Sequence, residues 1–335
     1  MKGRKSTTTK SISFCLRHAA NHASVITFAA VLQFPAFFFS CDPVRDSTPT
    51  HVERQIYLDW TKNPTPDPVD LFFFDTTGTQ LLDAWQQLTP LEGQPVTALS
   101  RSGPKRLVAL SGFPSTSETW YGIRGYADLC KLSFFLENDH PSAPLQYGET
   151  MVEDGATREV TLPLHPLLAH IHLRSVSCDF GAQPYSGSYF FNKLFYLSYA
   201  GAECRPLGAG DAPEPLSWLN PGALDSAAVL RLPHPEMVLQ AGCGDIGPRR
   251  IYPRRDFYCY PGPQTCLVLE GRVGDDVCYY SIPIRGMKAG CFYQLDLTIL
   301  RKGAPEPDML TESGAVRVET LTVPWEWEEP QTVYL

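Results

Sequence analysis

The chain has 335 residues, with 28 Lys and Arg against 36 Asp and Glu, 30 prolines and 10 cysteines. Five basic residues (Lys2, Arg4, Lys5, Lys10, Arg17) and no acidic one precede position 41, so the remaining 335 − 40 = 295 residues hold 28 − 5 = 23 basic and 36 acidic side chains, a net charge near −13. So acidic a surface argues against nucleic acid or anionic lipid as partner, and that length is enough for two domains.

The basic opening runs into an apolar stretch over 25–39, interrupted by Gln33 and Pro35. A charged start followed by about fifteen apolar residues reads as an export signal. It falls short of the roughly 20 that cross a bilayer core. The stretch ends at Phe38-Phe39-Ser40-Cys41, where an apolar run meets a small residue and then a thiol, and this resembles a bacterial lipobox. The sulfur takes a diacylglycerol there, and cleavage leaves Cys41 as the new N-terminus. Each buried CH₂ contributes about 0.8 kcal/mol, so several acyl chains on one residue hold a protein to a leaflet. Residues 1–40 are expected to be a lipoprotein signal peptide, and the polar, proline-containing 41–54 a tether. Asp42 and Asp46 behind the cysteine resemble the acidic tethers with which lipoproteins of Bacteroidota-type cells reach the outer face, and that resemblance implies the outer membrane, at the cell surface, as the expected place.

From residue 55 the pattern is that of strands. Gln55-Ile56-Tyr57-Leu58-Asp59-Trp60 alternates apolar with polar, as a half-buried strand does, and Val69-Asp70-Leu71-Phe72-Phe73-Phe74 leaves through a hairpin turn at Asp75-Thr76-Thr77-Gly78 before Leu81-Leu82. Short strands follow at 95–99 and 106–112 around Ser102-Gly103-Pro104. In 117–137 the residues Tyr121, Ile123, Tyr126, Leu129 and Leu132 fit one face of a short helix, against which Gly122 and Gly125 count. Alternation returns at 158–164 and 168–176, then in aromatic strands at 189–199 and 257–260, and again at 266–272, 276–284, 291–300 and 316–323. Strands every ten to fifteen residues and so many prolines indicate an all-β protein. The expected division is an N-terminal β-sandwich domain over 55–157 and a C-terminal one over 158–335, with a Pro-, Gly- and Ala-rich insertion near 201–240.

Eight cysteines follow the export segment (Cys130, Cys178, Cys204, Cys243, Cys259, Cys266, Cys278, Cys291), with no Cys-x-x-Cys among them. Zinc ribbons and thioredoxin-like chemistry therefore have no support. Disulfides and small buried hydrophobes both remain open for them.

No nucleophile elbow, His-Glu-x-x-His, P-loop or dinucleotide-binding glycine pattern is present. His165, His170 and His172 are the main enzymatic lure, since two imidazoles at i and i+2 of a strand share a face, with His234 or a carboxylate as a third ligand. Alternation puts Ala169, Ile171 and Leu173 in the core and His170, His172 and Arg174 in solvent, so no catalytic residue, metal or cofactor is expected. The cluster Arg249, Arg250, Arg254 and Arg255 reads as a solvated loop. Trp325 and Trp327 straddle Glu326 and offer an aromatic platform for a sugar ring, the basis of an alternative glycan-binding reading.

In their order, these pieces resemble the fimbrillin-like lipoproteins of Bacteroidales-type bacteria, particularly their anchor and minor-subunit branch. The likeness rests on the lipobox at Cys41, Asp59-Trp60, Leu145-Gln-Tyr147-Gly148 before Val160-Thr-Leu-Pro-Leu, and Leu167-Leu-Ala-His-Ile-His-Leu. It continues through Phe292-Tyr293 to Arg301-Lys-Gly303, then Val316-Arg-Val-Glu and Val323-Pro324-Trp325. The resemblance implies two tandem transthyretin-like, Greek-key β-sandwiches and a part in building or anchoring surface fibres, with other fimbrial subunits or surface proteins as partners. Family stalk subunits are cleaved after an arginine, for which Arg54, and less well Arg45, is the candidate here, and anchors keep their lipid. The gap left by cleavage is filled by a neighbour's strand. The candidate donor is the C-terminal stretch with Val316, Val318, Leu321, Val323, Val333 and Leu335. The long insertion favours an anchor, tip or accessory role over a repeating one.

Overall fold

The computed structural model describes residues 51–60, 68–91, 94–113, 120–153, 159–181, 184–205, 214–309, 311–312 and 314–325. They form an all-β sandwich fold in four sheets.

The first sheet has the order β3 (Leu82–Leu88), β2 (Val69–Asp75), β5 (Lys105–Ser111), β7 (Gln146–Val152), β8 (Glu159–Pro166), β1 (His51–Trp60), β4 (Val96–Arg101). β7 and β8 share only two residue pairs, Gln146 with Pro166 and Tyr147 with His165, and the sheet folds over at that joint. Ile56, Leu71, Phe73, Ala98, Leu107 and Leu162 then meet in one core. The two free edges are tied by side chains: the Gln86 amide accepts from Leu99 N (3.2 Å), and Asp83 Oδ2 accepts from Arg101 N (2.8 Å). β2 lacks alternation because it is buried on both faces. Phe72 and Phe74 form a second apolar layer under Trp120, Ile123 and Leu129. Where a helix is expected across 117–137, the described residues hold a short helix, α1 (Tyr126–Leu129), and a 3-10 turn at Leu136–Asn138, with Trp120 also helical, and Tyr121 is 77% exposed. Gly125 leads into α1, and its amide-linked neighbour Tyr126 is held to Gln80 O (3.0 Å) outside it.

The later residues build two facing four-stranded sheets. One has the order β14 (Arg255–Cys259), β9 (Ala169–Cys178), β17 (Cys291–Ile299), β18 (Val316–Pro324). The other has β13 (Leu239–Ile246), β10 (Phe190–Ser198), β15 (Cys266–Val273), β16 (Asp276–Pro283). Ile171, Leu173, Phe195, Leu269, Tyr280 and Leu297 fill the space between them. β10 carries a bulge between Asn192 and Leu194. Gly242 and Gly271 flank the bulge from the strands on either side, where an added Cβ would lie 2.3 Å from Asn192 O and 2.1 Å from Phe191 O.

Much of the insertion near 201–240 is regular structure. β11 (Ala200–Arg205) pairs with β12 (Glu214–Leu219), and a short helix, α2 (Ser226–Val229), starts on the Asp225 carboxylate, which accepts from Ala228 N. β11 also pairs with the two-residue β6 (Phe134–Phe135), which links the insertion to residues that precede the second pair of sheets.

Candidate functional site

Three places assemble residues singled out in the sequence: the start of β1, the edge at β18, and the outer face of the sheet that β18 borders.

β1 begins at His51, so the expected tether overlaps the strand by four residues and Arg54 lies inside it. Alternation sends Arg54 to the same face as Ile56, and it is 2% exposed. Its guanidinium donates to Ser100 Oγ (3.0 Å) and Gly103 O (3.2 Å), at the mouth of the first core. β4 pairs with His51 through Ile56, whereas β8 pairs with β1 only from Gln55 onward. The bond after Arg54 therefore sits where β1 gains its second neighbour. Cys41 lies outside the described residues.

β18 pairs along its whole length with β17, Val316 opposite Ile299 to Pro324 opposite Cys291. Its position at the sheet margin gives it that single ladder. Val318, Thr320 and Thr322 stand beside Leu297, Leu295 and Tyr293, which are buried, yet every residue from Arg317 to Pro324 is exposed. Val318 (40%), Leu321 (52%) and Val323 (38%) thus present apolar surface on both faces of an edge strand. Long apolar edges are templates for pairing with another chain. Val333 and Leu335 lie outside the described residues.

β18 is followed directly by Trp325, which is 6% exposed. Its backbone N–H donates to Gly290 O (2.7 Å), and its ring lies on His170 (centroids 5.2 Å) and Tyr258 (5.7 Å). An aromatic ring so covered offers no open platform to a sugar; Trp327 lies outside the described residues.

Beneath Trp325, His170 and His172 point outward from β9 as the alternation requires. They are not in solvent, with side chains 14% and 19% exposed, because β14 flanks both, Phe292 packs on both rings and Trp325 covers His170. Asp256 of β14 stands opposite His172 in register. Its Oδ1 meets both His170 Nε2 (2.7 Å) and His172 Nδ1 (2.8 Å). Burial works to raise the Asp256 carboxyl, but the two histidine hydrogen bonds outweigh it and hold it well below the usual carboxylate range. His170 is pushed down by burial. His234 is elsewhere, beside Glu236 and His140, and His165 is exposed on β8. The pairing of Asp256 with these histidines was invisible in the sequence, since 84 residues separate it from His172. The only signal was the matching alternation of Asp256-x-Tyr258 and His170-x-His172. Arg249, Arg250 and Arg254 are exposed, while Arg255 is half-buried.

No protein-family model and no curated protein sequence matches the chain. Solved structures do. A "putative cell adhesion protein" from Bacteroides eggerthii superposes with a TM-score of 0.59 at 14% identity, covering 83% of this chain and 96% of that one. A second, from Parabacteroides distasonis, gives 0.58 at 10% identity, with 82% and 96% covered. The fimbrilin of Porphyromonas gingivalis gives 0.54 at 13% identity, with 82% and 97% covered. The fimbrillin-like resemblance read from the sequence is thus met at the level of fold.

Proposed function

We propose that the chain is a fimbria-related surface protein, an anchor, accessory or minor subunit that assembles by strand complementation and is held to the outer membrane through lipid on Cys41. The observation that carries the assembly reading is β18, a nine-residue strand on a single ladder with apolar side chains exposed on both faces. Such a strand exchanges one neighbour for another at low cost, because leaving β17 uncovers little core. Its fold, common to a fimbrilin and to the adhesion proteins above, supports the same reading. The division into two sandwich domains near residue 158 belongs to this proposal, as does maturation at Arg54. An anchor keeps its lipid, and cleavage after Arg54 would instead release a polymerising subunit beginning at Gln55.

The test is purification from the membrane of the producing cells, with Cys41→Ala and a deletion of 316–335 beside the wild type. The wild type is expected to carry acyl chains on Cys41 by intact mass and to co-purify with fibre subunits. Cys41→Ala should lose the lipid. The deletion should stay membrane-bound and lose the subunits. A deletion variant that still enters fibres would overturn strand complementation by β18, and an unacylated Cys41 would overturn the anchor.

A further inference from the structure

We propose that His170, His172 and Asp256 form a binding site for a zinc-type divalent cation on the outer face of the sheet bordered by β18. His170 Nε2, His172 Nδ1 and an Asp256 carboxylate oxygen lie within 4.8 Å of one another, and among the described residues this is the one group of three such ligands so placed. The donors come from two paired strands. Residues i and i+2 of β9 share a face, and the register of β14 puts Asp256 directly across from His172 and one step diagonal to His170.

Aromatic walls set the ring orientations. His170 stacks on Tyr258 (4.5 Å, 24°), meets Phe292 edge-on (4.7 Å, 74°) and lies under Trp325. His172 stacks on Phe292 (5.9 Å, 26°). Asp256 is fixed from behind, its backbone carbonyl accepting from the Gln240 amide (2.5 Å). His170 Nδ1 is buried without a hydrogen-bond partner, so this ring makes its hydrogen bond only through the nitrogen turned to Asp256. Ligands locked by packing lose little freedom when a cation arrives.

The donor set selects the metal. Two imidazoles and one carboxylate suit zinc and its borderline neighbours, and leave a fourth position for water, whereas calcium and magnesium prefer all-oxygen cages. A tetrahedral zinc with bonds of about 2.0–2.2 Å needs its ligand atoms about 3.3 Å apart. The present 2.7 and 2.8 Å separations must therefore widen by about half an ångström, within reach of a turn of the half-exposed Asp256 side chain. Binding exchanges two N–H···O hydrogen bonds for three coordinate bonds, each neutral ring giving up the proton on its coordinating nitrogen and taking one up on the far nitrogen. The cation would clamp the edge strand β14 to β9 directly beneath Trp325, the residue that follows β18.

The test is titration of the full chain, stripped with a chelator, with zinc and cobalt at pH 7.5. Calorimetry should show one zinc per chain and differential scanning a rise in Tm. The cobalt spectrum should be that of nitrogen and oxygen ligands without thiolate charge transfer. His172→Gln and Asp256→Asn are each expected to weaken zinc at least about tenfold. Imidazole ¹⁵N resonances of the unsubstituted chain should shift on adding zinc, a readout that does not depend on how the variants fold. Unchanged affinity in both variants, thiolate ligation of cobalt, unshifted imidazole resonances, or an equal Tm rise with calcium would each overturn the site.

Discussion

At Asp139 burial and charge conflict. The carboxylate oxygen Oδ1 accepts from Leu145 N (3.0 Å) and His140 N (2.9 Å), yet complete burial lifts its pKa from 3.8 to about 7. A raised folded-state pKa means that the folded chain holds the proton more tightly than the unfolded one. The stability this contributes is fully present below about pH 4 and is lost as pH rises through about 7. Asp139→Asn keeps an oxygen for both N–H groups and is expected to flatten that dependence in urea melts at pH 5 and pH 8. An equal slope in the variant would exonerate Asp139. Asn192, 1% exposed, holds the β10 bulge by donating to Leu194 O (2.9 Å) and Glu270 O (3.2 Å) and accepting from Cys243 N (3.0 Å). Asn192→Ala strands these backbone groups and should cost about 2–4 kcal/mol in chemical denaturation. At this scale the sequence was a partial guide. Alternation gave the outward direction of His170 and His172, but the covering rings of Tyr258 and Trp325 come from β14 and the residue after β18, and no local pattern reports such neighbours.

Strands with a clean period of two or an unbroken apolar run were legible as elements, β2, β9, β15 and β17 among them. Others lack the signal for identifiable reasons. β3 (LDAWQQL) is announced only by the hairpin turn before Leu81-Leu82, and no position in it is fully buried, because it is an edge strand. β13 (LQAGCGDI) carries glycines that exist to let it pass the Asn192 bulge, so its composition reads as loop. β6 is two residues long and exists only through its pairing with β11. The end of the tether was misjudged for a related reason: His51 to Arg54 look like linker and are ordered by β4. An arginine-specific protease acting on the folded chain should accordingly cut after Arg54 slowly, at a rate that climbs with denaturant below the unfolding midpoint, as N-terminal sequencing of the product would follow. Rapid cutting of the native chain would mean that this part of β1 is open.

For the molecule as a whole, the eight described cysteines are unpaired, and burial drives the thiols of Cys178 and Cys259 up to about 12. Of the two readings left open by their spacing, small buried hydrophobe fits Cys178, Cys204, Cys259, Cys266 and Cys278, while Cys130, Cys243 and Cys291 are half-buried. All eight are expected to react with a thiol reagent on unfolding without reductant, and slowly in the folded state; a smaller number on unfolding would reveal disulfides. The placement of β1 bears on a different property. It is paired six residues to β4 at its first half and six to β8 at its second, antiparallel to one and parallel to the other. A pull along the strand from its His51 end loads both ladders sideways, so their bonds share the force and yield together instead of opening one after another like a zip. Tension on the N-terminus would then be resisted by an abrupt mechanical limit, measurable as one high-force rupture when single molecules are stretched from that end.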